Sequence, residues 1–233
     1  MPPAVKLRLK DSFRLVPSLY PSRGVLDAVA APEDLPAVLE LESWSNDRIS
    51  TELGLLYRIP PEEWVVGRPM ASVIMAAFCH PRSGGGRFNS SERGAWYAAN
   101  SLAGAHAEVV YHRTRELEEI GVWETRVQMR LYLADFHAVF HDVRARTAAS
   151  VPYHDPVSYT ASQALARRLM AEGSNGVIYR SVRLPGAECL ACFRPPLVGN
   201  VRIRAHFEYH WRGGRKPEIR RLRAPEVMSP SSR

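Results

Sequence analysis

The stretch that decides the fold spans residues 176–183 and reads Gly-Val-Ile-Tyr-Arg-Ser-Val-Arg. Its β-branched and aromatic residues predict a strand over 177–182. The turn-forming run Gly-Ser-Asn-Gly at 173–176 lies directly before this strand and ends a helix predicted over 158–170. Because a helix leads at once into a strand here, the sequence indicates a fold in which the two kinds of element are mixed.

The same mixture extends outward from this stretch in both directions. Further strands are predicted at 55–59, 95–99, 122–133, 189–193 and 201–211. A helix is predicted over 102–119, with Asn100-Ser101 as its cap and Gly121 just beyond its end. Many short strands with a few interspersed helices predict an α+β domain over residues 51–233.

Residues 1–50 predict a largely helical N-terminal extension. Pro32-Glu33-Asp34-Leu35 is typical of a helix start, because proline and acidic residues favour the first helical turn. Apolar residues then recur near the helical period at Leu35, Val38, Leu39 and 41–44. Since no obvious linker follows, we expect this extension to pack on the domain as an accessory layer.

The bulk composition is that of an ordinary globular domain. Hydrophobic residues make up 45% of the chain and charged residues 24%. No apolar run approaches the roughly 18 residues that a membrane-spanning helix needs, and the first residues do not resemble a secretion signal. Three cysteines do not make a disulfide framework. We therefore expect a cytoplasmic protein with no membrane association.

The net charge of +7 raises the alternative of a basic nucleic-acid-binding module. Basic residues gather near the C-terminus: Arg202, Arg204, Arg212, Arg215, Lys216, Arg220, Arg221 and Arg223. An acidic protein partner or an anionic cofactor accounts for such a surface equally well. The charge alone leaves these alternatives open.

A second alternative is a zinc-dependent nucleobase deaminase. His106-Ala107-Glu108 and Cys189-Leu190-Ala191-Cys192 match the two halves of the deaminase signature. The residue before Cys189 is glutamate, where that signature has proline. The cysteines also fall in a predicted strand, in which positions i and i+3 face opposite sides and cannot share one metal ion. We expect no metal site.

Several polar residues lie in apolar surroundings. Arg58 interrupts the predicted strand at 55–59, and Arg87 and Asn89 flank Phe88 directly after Gly84-Gly85-Gly86. Further along the chain, the same description covers Tyr97, Glu108, Ser181 and Arg183. Each has an ordinary structural explanation when taken alone. Their order along the chain is more informative.

In that order these residues resemble the RES-domain family, whose members are typically toxins of bacterial toxin–antitoxin pairs. The resemblance runs from about Leu55 to Arg204. It rests on four motifs: Gly85-Gly86-Arg87-Phe88-Asn89, Ala95-Trp96-Tyr97-Ala98-Ala99, Ala105-His106-Ala107-Glu108-Val109 and the stretch at 176–183. Four motifs in the family's order are a much stronger signal than any single short pattern in the chain.

The resemblance implies a fold similar to ADP-ribosyltransferase toxins, with a split β-sheet of two small facing halves and a cleft for NAD⁺. It implies that NAD⁺ is the substrate and that the bond between nicotinamide and ribose is broken. It also implies a cognate Xre-type antitoxin that occludes the cleft, so that nucleic acid is contacted only through the antitoxin. Water, phosphate or a side chain of a target protein could each accept the ADP-ribose, and no residue decides among them.

The resemblance also assigns roles to residues. Glu108 is expected to stabilise the ribosyl cation-like transition state, and Tyr97, with Phe88 beside it, to stack on the nicotinamide ring. Arg87 and Arg58 are expected to bind the pyrophosphate. The hydroxyl of Ser181 is expected to orient the ribose or Glu108, and Asn89 is carried over with the NAD⁺-binding residues.

Overall fold

The fold is organised by one β-sheet whose strands differ greatly in length. In the computed structural model, which describes residues 1–19, 24–27, 32–34 and 55–223, the sheet holds seven strands. In chain order they are β1 (Ala4–Pro17), β2 (Trp96–Ala99), β3 (Glu124–Asp142), β4 (Gly176–Arg180), β5 (Glu188–Cys192), β6 (Gly199–Arg212) and β7 (Glu218–Leu222).

Helices flank the sheet. The α-helices in the described ranges are α1 (Ala71–Cys79), α2 (Leu102–Ile120) and α3 (Thr160–Ala171). Short 3-10 helices span Val25–Asp27, Pro32–Asp34, Leu56–Arg58, Pro61–Glu63, Val151–His154 and Pro195–Leu197. None of the helices that the structure describes is long and apolar enough to span a bilayer. The α+β class predicted from the sequence is confirmed.

The sheet divides into two halves. Its strand order is β1-β2-β5-β4-β3-β6-β7, with an additional pairing between β1 and β3. The long strands β1, β3 and β6, with the short strand β7, form an antiparallel half, and the short strands β2, β5 and β4 form another. The halves meet through one β1–β2 pair, Phe13↔Ala99, and through two parallel pairs between the end of β3 and β4. These narrow junctions agree with the predicted split sheet.

The N-terminal prediction is wrong for the residues of β1. This segment pairs with β3 from Ala4↔His141 to Pro17↔Met129, so it belongs to the sheet and is not a helical layer outside it. Val5, Leu7 and Leu9 pack against the core while the basic residues between them are exposed. This two-residue period is the pattern of a strand. Of the predicted helix start only the 3-10 helix Pro32–Asp34 is described, and the apolar stripe at 35–44 lies outside the described residues.

The predicted strand at 55–59 is a 3-10 helix, Leu56–Arg58. Leu56 and Ile59 are buried while Tyr57 and Arg58 are exposed. That three-residue spacing suits a 3-10 turn, in which positions i and i+3 lie above each other, and not a strand.

Helix α2 follows the local signals in its sequence. The Ser101 hydroxyl accepts a hydrogen bond from the Gly104 amide at 3.1 Å, and Gly121 ends the helix in the left-handed conformation at φ 70°. A Cβ at Gly104 would lie 3.2–3.3 Å from Ala99, Ser101 and Ala187. The absence of a side chain there therefore lets α2 approach β2 closely.

The buried residues form three clusters around the sheet. One lies between α1 and the short half of the sheet, a second surrounds Phe88, α3 and the opposite face of β4 and β5, and a third lies between α2 and strands β3 and β6. Strand β2 alternates between the first two: Trp96 and Ala98 face the first, and Tyr97 and Ala99 the second. This alternation places Tyr97 on the face that carries the candidate site.

Most of the C-terminal basic residues singled out in the sequence lie on β6, on β7 or between them. Several are paired with carboxylates: Arg202 with Asp11 and Asp135, Arg212 with Glu218, Arg215 with Glu118, and Arg220 with Glu208. Much of this charge is therefore neutralised within the protein, which weakens the nucleic-acid interpretation.

Candidate active site

The Tyr97 hydroxyl holds the arginine loop in place. It accepts a hydrogen bond from the Phe88 amide at 2.8 Å and donates one to Asn89 Oδ1 at 2.7 Å. Within the loop, the Gly86 amide donates to the Asn89 carbonyl at 3.1 Å. A Cβ at Gly86 would lie 2.4 Å from Asn89 Oδ1 and 2.7 Å from the Tyr97 hydroxyl. Glycine at this position is therefore required for the loop to close on β2.

Helix α3 ties the same loop from the other side. The Gln163 amide nitrogen donates to the carbonyls of Gly84 and Gly86, each at 3.0 Å. The glycine run is thus connected to both a strand and a helix.

Arg87 emerges from this loop into an almost closed environment. The residue is 6% exposed. Its Nη1 donates to the carbonyl oxygens of Tyr153 at 3.1 Å and Asp155 at 2.7 Å, and its guanidinium lies 4.6 Å from the centre of the Tyr159 ring. Arg87 is thus held through Nη1, and the other two nitrogens of its guanidinium, Nη2 and Nε, make no hydrogen bond within the described residues.

Glu108 projects from α2 toward the end of β4, where Ser181 fixes it. Two backbone amides, those of Arg183 and Leu184, donate to the Ser181 hydroxyl oxygen, each at 3.1 Å. The hydroxyl proton is therefore left for Glu108 Oε1, which lies 3.0 Å away. A serine whose oxygen is saturated by amides orients the carboxylate in one direction.

Burial disfavours the ionised form of Glu108, and neighbouring groups offset part of this effect. Burial raises the pKa of Glu108 above its ordinary value, and the Ser181 hydrogen bond, Arg183 and Arg87 act in the lowering direction. A partly desolvated carboxylate interacts more strongly with a developing positive charge than one in water. The neighbouring cations and the serine favour the ionised form and so offset part of the effect of burial on the pKa of Glu108.

His112 lies one helical turn beyond Glu108 and is neutral. Burial lowers its pKa to about 3, with Arg82, Arg183, Arg87 and Arg115 adding to the effect. Arg82 can only donate, so the 3.1 Å contact between its Nη1 and His112 Nδ1 makes Nδ1 an acceptor. The ring proton is then on Nε2, which lies 3.9 Å from Glu108 Oε2. His112 therefore adds no positive charge beside Glu108.

The structure brings most of the predicted site residues into one neighbourhood. Arg87, Asn89 and Tyr97 are connected through the loop, Glu108 is bonded to Ser181, and the charge of Arg87 acts on Glu108. Asn89 is 3% exposed and its amide nitrogen donates to the carbonyls of Ser90 and Arg93. Its role in the structure is to shape the loop.

Two predicted residues lie elsewhere. Phe88 is fully buried against Tyr179, with ring centres 4.8 Å apart, so its ring does not face the cleft as expected beside Tyr97. Arg58 is exposed on its 3-10 helix and acts electrostatically on Cys79, on the opposite side of β2 from the site. The reason is the 3-10 conformation, which directs Leu56 and Ile59 inward and Arg58 outward.

The structure also reveals residues of the cleft that the sequence did not single out. Tyr159 stacks on Arg87, Tyr111 stacks on Arg183, and Tyr153 contributes its carbonyl oxygen. Arg183 is the exception, because the sequence marks it as a polar residue in apolar surroundings, although without a role. Tyr111 lies on α2, Tyr153 and Tyr159 lie on one short segment, and none of the three carries a local signal.

The histidine, glutamate and cysteines of the zinc deaminase alternative do not come together at one site. Cys189 packs in the second buried cluster and Cys192 in the first, on opposite faces of β5, as the strand prediction required. His106 Nδ1 contacts the Tyr209 hydroxyl at 2.5 Å, and Glu108 contacts Ser181. In the described ranges, no cluster of three or more such ligand residues is arranged to hold a metal ion.

Fold and site together define a class: an α+β domain with a split sheet and a partly buried carboxylate near two arginines. The sequence places the chain within a family of that class. The RES domain matches residues 55–212, which is more than half of the chain, so the protein belongs to the RES domain family. The resemblance found in the four motifs is confirmed.

Individual relatives match most of the chain. A protein of Sinorhizobium fredii (strain NBRC 101917 / NGR234), "Uncharacterized protein y4oC", is 27% identical over 228 residues, which cover 90% of this chain and 87% of the relative. Among solved structures, the chain is similar to one in "Crystal structure of the M.tuberculosis MbcT-MbcA toxin-antitoxin complex". That match has a TM-score of 0.47 and 13% identity, and covers 88% of this chain and 86% of the other.

Proposed function

We propose that this protein consumes NAD⁺ by breaking the bond between nicotinamide and ribose, as the toxin of a toxin–antitoxin pair. The observation that carries the proposal is the Glu108 carboxylate, which accepts a hydrogen bond from a Ser181 hydroxyl that two backbone amides hold in place. Membership of the RES domain family supports the reaction class and the toxin role.

The geometry suits this reaction for a physical reason. Loss of neutral nicotinamide leaves positive charge on the ribose ring in the transition state. A carboxylate fixed in advance stabilises that charge without having to reorganise during the reaction. Glu108 meets this requirement because a helix carries it and a serine at the end of β4 fixes its direction. His112 adds no competing positive charge.

Arg87 is assigned to the pyrophosphate in this proposal. Its unused Nη2 and Nε form the planar edge that suits a phosphate group. Tyr97 acts through its hydroxyl, which fixes the loop that carries Arg87, and its ring is left to face the nicotinamide. The acceptor of the ADP-ribose is water, phosphate or a protein side chain.

The toxin role is tested by expression in bacterial cells. Wild-type protein is expected to arrest growth and lower the cellular NAD⁺ content, and co-expression of a cognate antitoxin to restore both. Glu108→Gln is expected to do neither. Glu119→Gln is a matched control on the same helix, because the Glu119 side chain is 68% exposed and pairs only with Arg115 at 3.7 Å. Growth arrest by Glu108→Gln with an unchanged NAD⁺ content would contradict the proposal.

A further inference from the structure

Arg183 is a second guanidinium in the cleft and has an unusual set of partners. Its Nη2 donates to the Pro156 carbonyl at 2.7 Å and contacts the Tyr159 hydroxyl at 3.3 Å. Its guanidinium lies 3.2 Å from the centre of the Tyr111 ring. Its Nε is buried and makes no hydrogen bond within the described part of the chain.

Tyr159 connects this group to Arg87. The two arginines contact the same tyrosine, Arg87 through the face of the ring and Arg183 through the hydroxyl. Both also hold carbonyl oxygens of one segment: Arg87 those of Tyr153 and Asp155, and Arg183 that of Pro156. A single short segment therefore positions both guanidiniums.

These contacts are made with neutral groups, so they do not balance the charges of the two arginines. Neither Arg87 nor Arg183 has a carboxylate within 4 Å among the residues that the structure describes, whereas many other arginines of the chain form such pairs. The Asp155 carboxylate on the same segment accepts instead from the amides of Val157 and Ser158. Two partly or fully buried cations beside one carboxylate, Glu108, attract an anion.

We propose that Arg183 binds a phosphoryl group of the substrate, so that Arg183 and Arg87 together bind the two phosphates of the dinucleotide. This assignment rests on the proposed function and adds a residue to it. Phosphate oxygens would contact the guanidinium nitrogens that the segment leaves unused. Stacking on Tyr111 and Tyr159 holds both planar forks in orientation, which lowers the entropy lost on binding.

The test measures binding, and it does not depend on turnover. ADP, adenosine and inorganic phosphate are titrated calorimetrically into wild type, Arg183→Ala, Arg183→Lys and Arg180→Ala. Arg180→Ala is the matched control, because Arg180 lies on the adjoining strand, is exposed and donates to the Arg144 carbonyl. Thermal unfolding of each variant verifies that it is folded.

For Arg183→Ala the Kd of ADP is expected to rise by about 10- to 100-fold, the usual effect of losing hydrogen bonds to a charged group. Adenosine affinity should be unchanged, and Arg183→Lys should recover only part of the loss because it lacks the fork. ADP affinity within about twofold of wild type in folded Arg183→Ala would overturn the assignment. So would an effect confined to inorganic phosphate, which would place a free phosphate ion there.

Failure of this inference is distinguishable from failure of the proposed function. ADP binding that depends on Arg183, in a protein that never releases nicotinamide from NAD⁺, would retain the phosphate site and reject the reaction. Nicotinamide release that depends on Glu108, with ADP binding indifferent to Arg183, would retain the reaction and reject the phosphate role of Arg183.

Discussion

The two sides of the cleft are held in different ways. On the carboxylate side, Glu108 lies on a 19-residue helix and bonds to Ser181 at the end of a buried strand. On the arginine side, Arg87 and Arg183 are held by carbonyl oxygens of the segment from Tyr153 to Tyr159, in which residues 155–158 are exposed. In the proposed function, the reacting carboxylate is thus placed on regular elements, and the substrate-binding arginines are held by a surface segment.

This difference follows from what each group has to do. A group that stabilises a transition state needs a fixed position, and rigid elements supply it. A group that admits and releases a nucleotide benefits from a segment with few buried contacts, which opens at low cost in free energy. Variants on the carboxylate side should therefore affect kcat first, and variants on the arginine side should affect substrate affinity first.

The largest expected effect is that of Glu108→Gln on turnover. The substitution keeps the shape and the Ser181 hydrogen bond but removes the charge, so kcat should fall by about a hundred- to a thousandfold. Affinity for ADP should remain. Steady-state kinetics of nicotinamide release measure the loss, with Glu119→Gln as the control. Turnover within a few-fold of wild type in this variant would remove Glu108 from the reaction.

Ser181→Ala should have a smaller effect that depends on pH. The proposed reaction uses Glu108 in its ionised form, so activity should rise as the pH passes through its pKa, which burial raises. The Ser181 hydrogen bond lowers that pKa, so its removal raises it further and moves the acidic limb of the kcat profile to higher pH. At mildly acidic pH we expect a loss of about tenfold, roughly the value of one hydrogen bond to a charged group. An unshifted acidic limb would mean that Ser181 does not act on Glu108, and Ser158→Ala on the exposed segment is the control.

Tyr97→Phe should act on the loop and so on the arginine side. It leaves the buried Phe88 amide and Asn89 Oδ1 without their partner, which should lower the free energy of unfolding by about 1–3 kcal/mol. Thermal unfolding should show a Tm lower by a few degrees for each kcal/mol. The KM for NAD⁺ should rise more than kcat falls, because Arg87 loses its fixed position. A pure kcat effect with unchanged KM would instead assign the hydroxyl to the reaction.

The smallest expected effect is on the stability of Glu108→Gln itself. Because the folded-state pKa of Glu108 is raised, the ionised carboxylate destabilises the fold, and stability is lost as pH rises from the ordinary pKa through the raised one. Glutamine removes this cost, so the variant should unfold at pH 7 at the same temperature as wild type or slightly higher. A clearly lower Tm would show that the carboxylate stabilises the fold.

The sequence predicted those features that local signals encode. The cap at Ser101, the end of α2 at Gly121 and the opposite facing of Cys189 and Cys192 all depend on neighbouring residues, and the structure agrees with each. Strand β1 was missed although its alternation is equally local, because the apolar stripe further along the extension favoured helix. The strand predicted around Arg58 was wrong because a short apolar run before Pro60-Pro61 does not distinguish a strand from a 3-10 turn.

The contacts of Arg87 and Arg183 could not be predicted from the residues next to them in the sequence. The contacts of Arg87 lie 66 and 68 positions away along the chain, and they are made with carbonyl oxygens, which every residue possesses. No pattern of side chains in the sequence predicts which backbone carbonyl accepts a hydrogen bond from Arg87. The uncompensated charge of Arg183 likewise becomes visible only when its surroundings are known.

The most direct test is the release of nicotinamide from NAD⁺ by purified wild-type protein, freed of any antitoxin and shown to be folded. The reaction is followed in phosphate-free buffer, in phosphate, and with a bacterial lysate. We expect nicotinamide to appear in step with the loss of NAD⁺ in at least one condition, and the condition that supports it names the acceptor as water, phosphate or a protein. Intact NAD⁺ in all three conditions would contradict the assignment of this cleft to the nicotinamide–ribose bond.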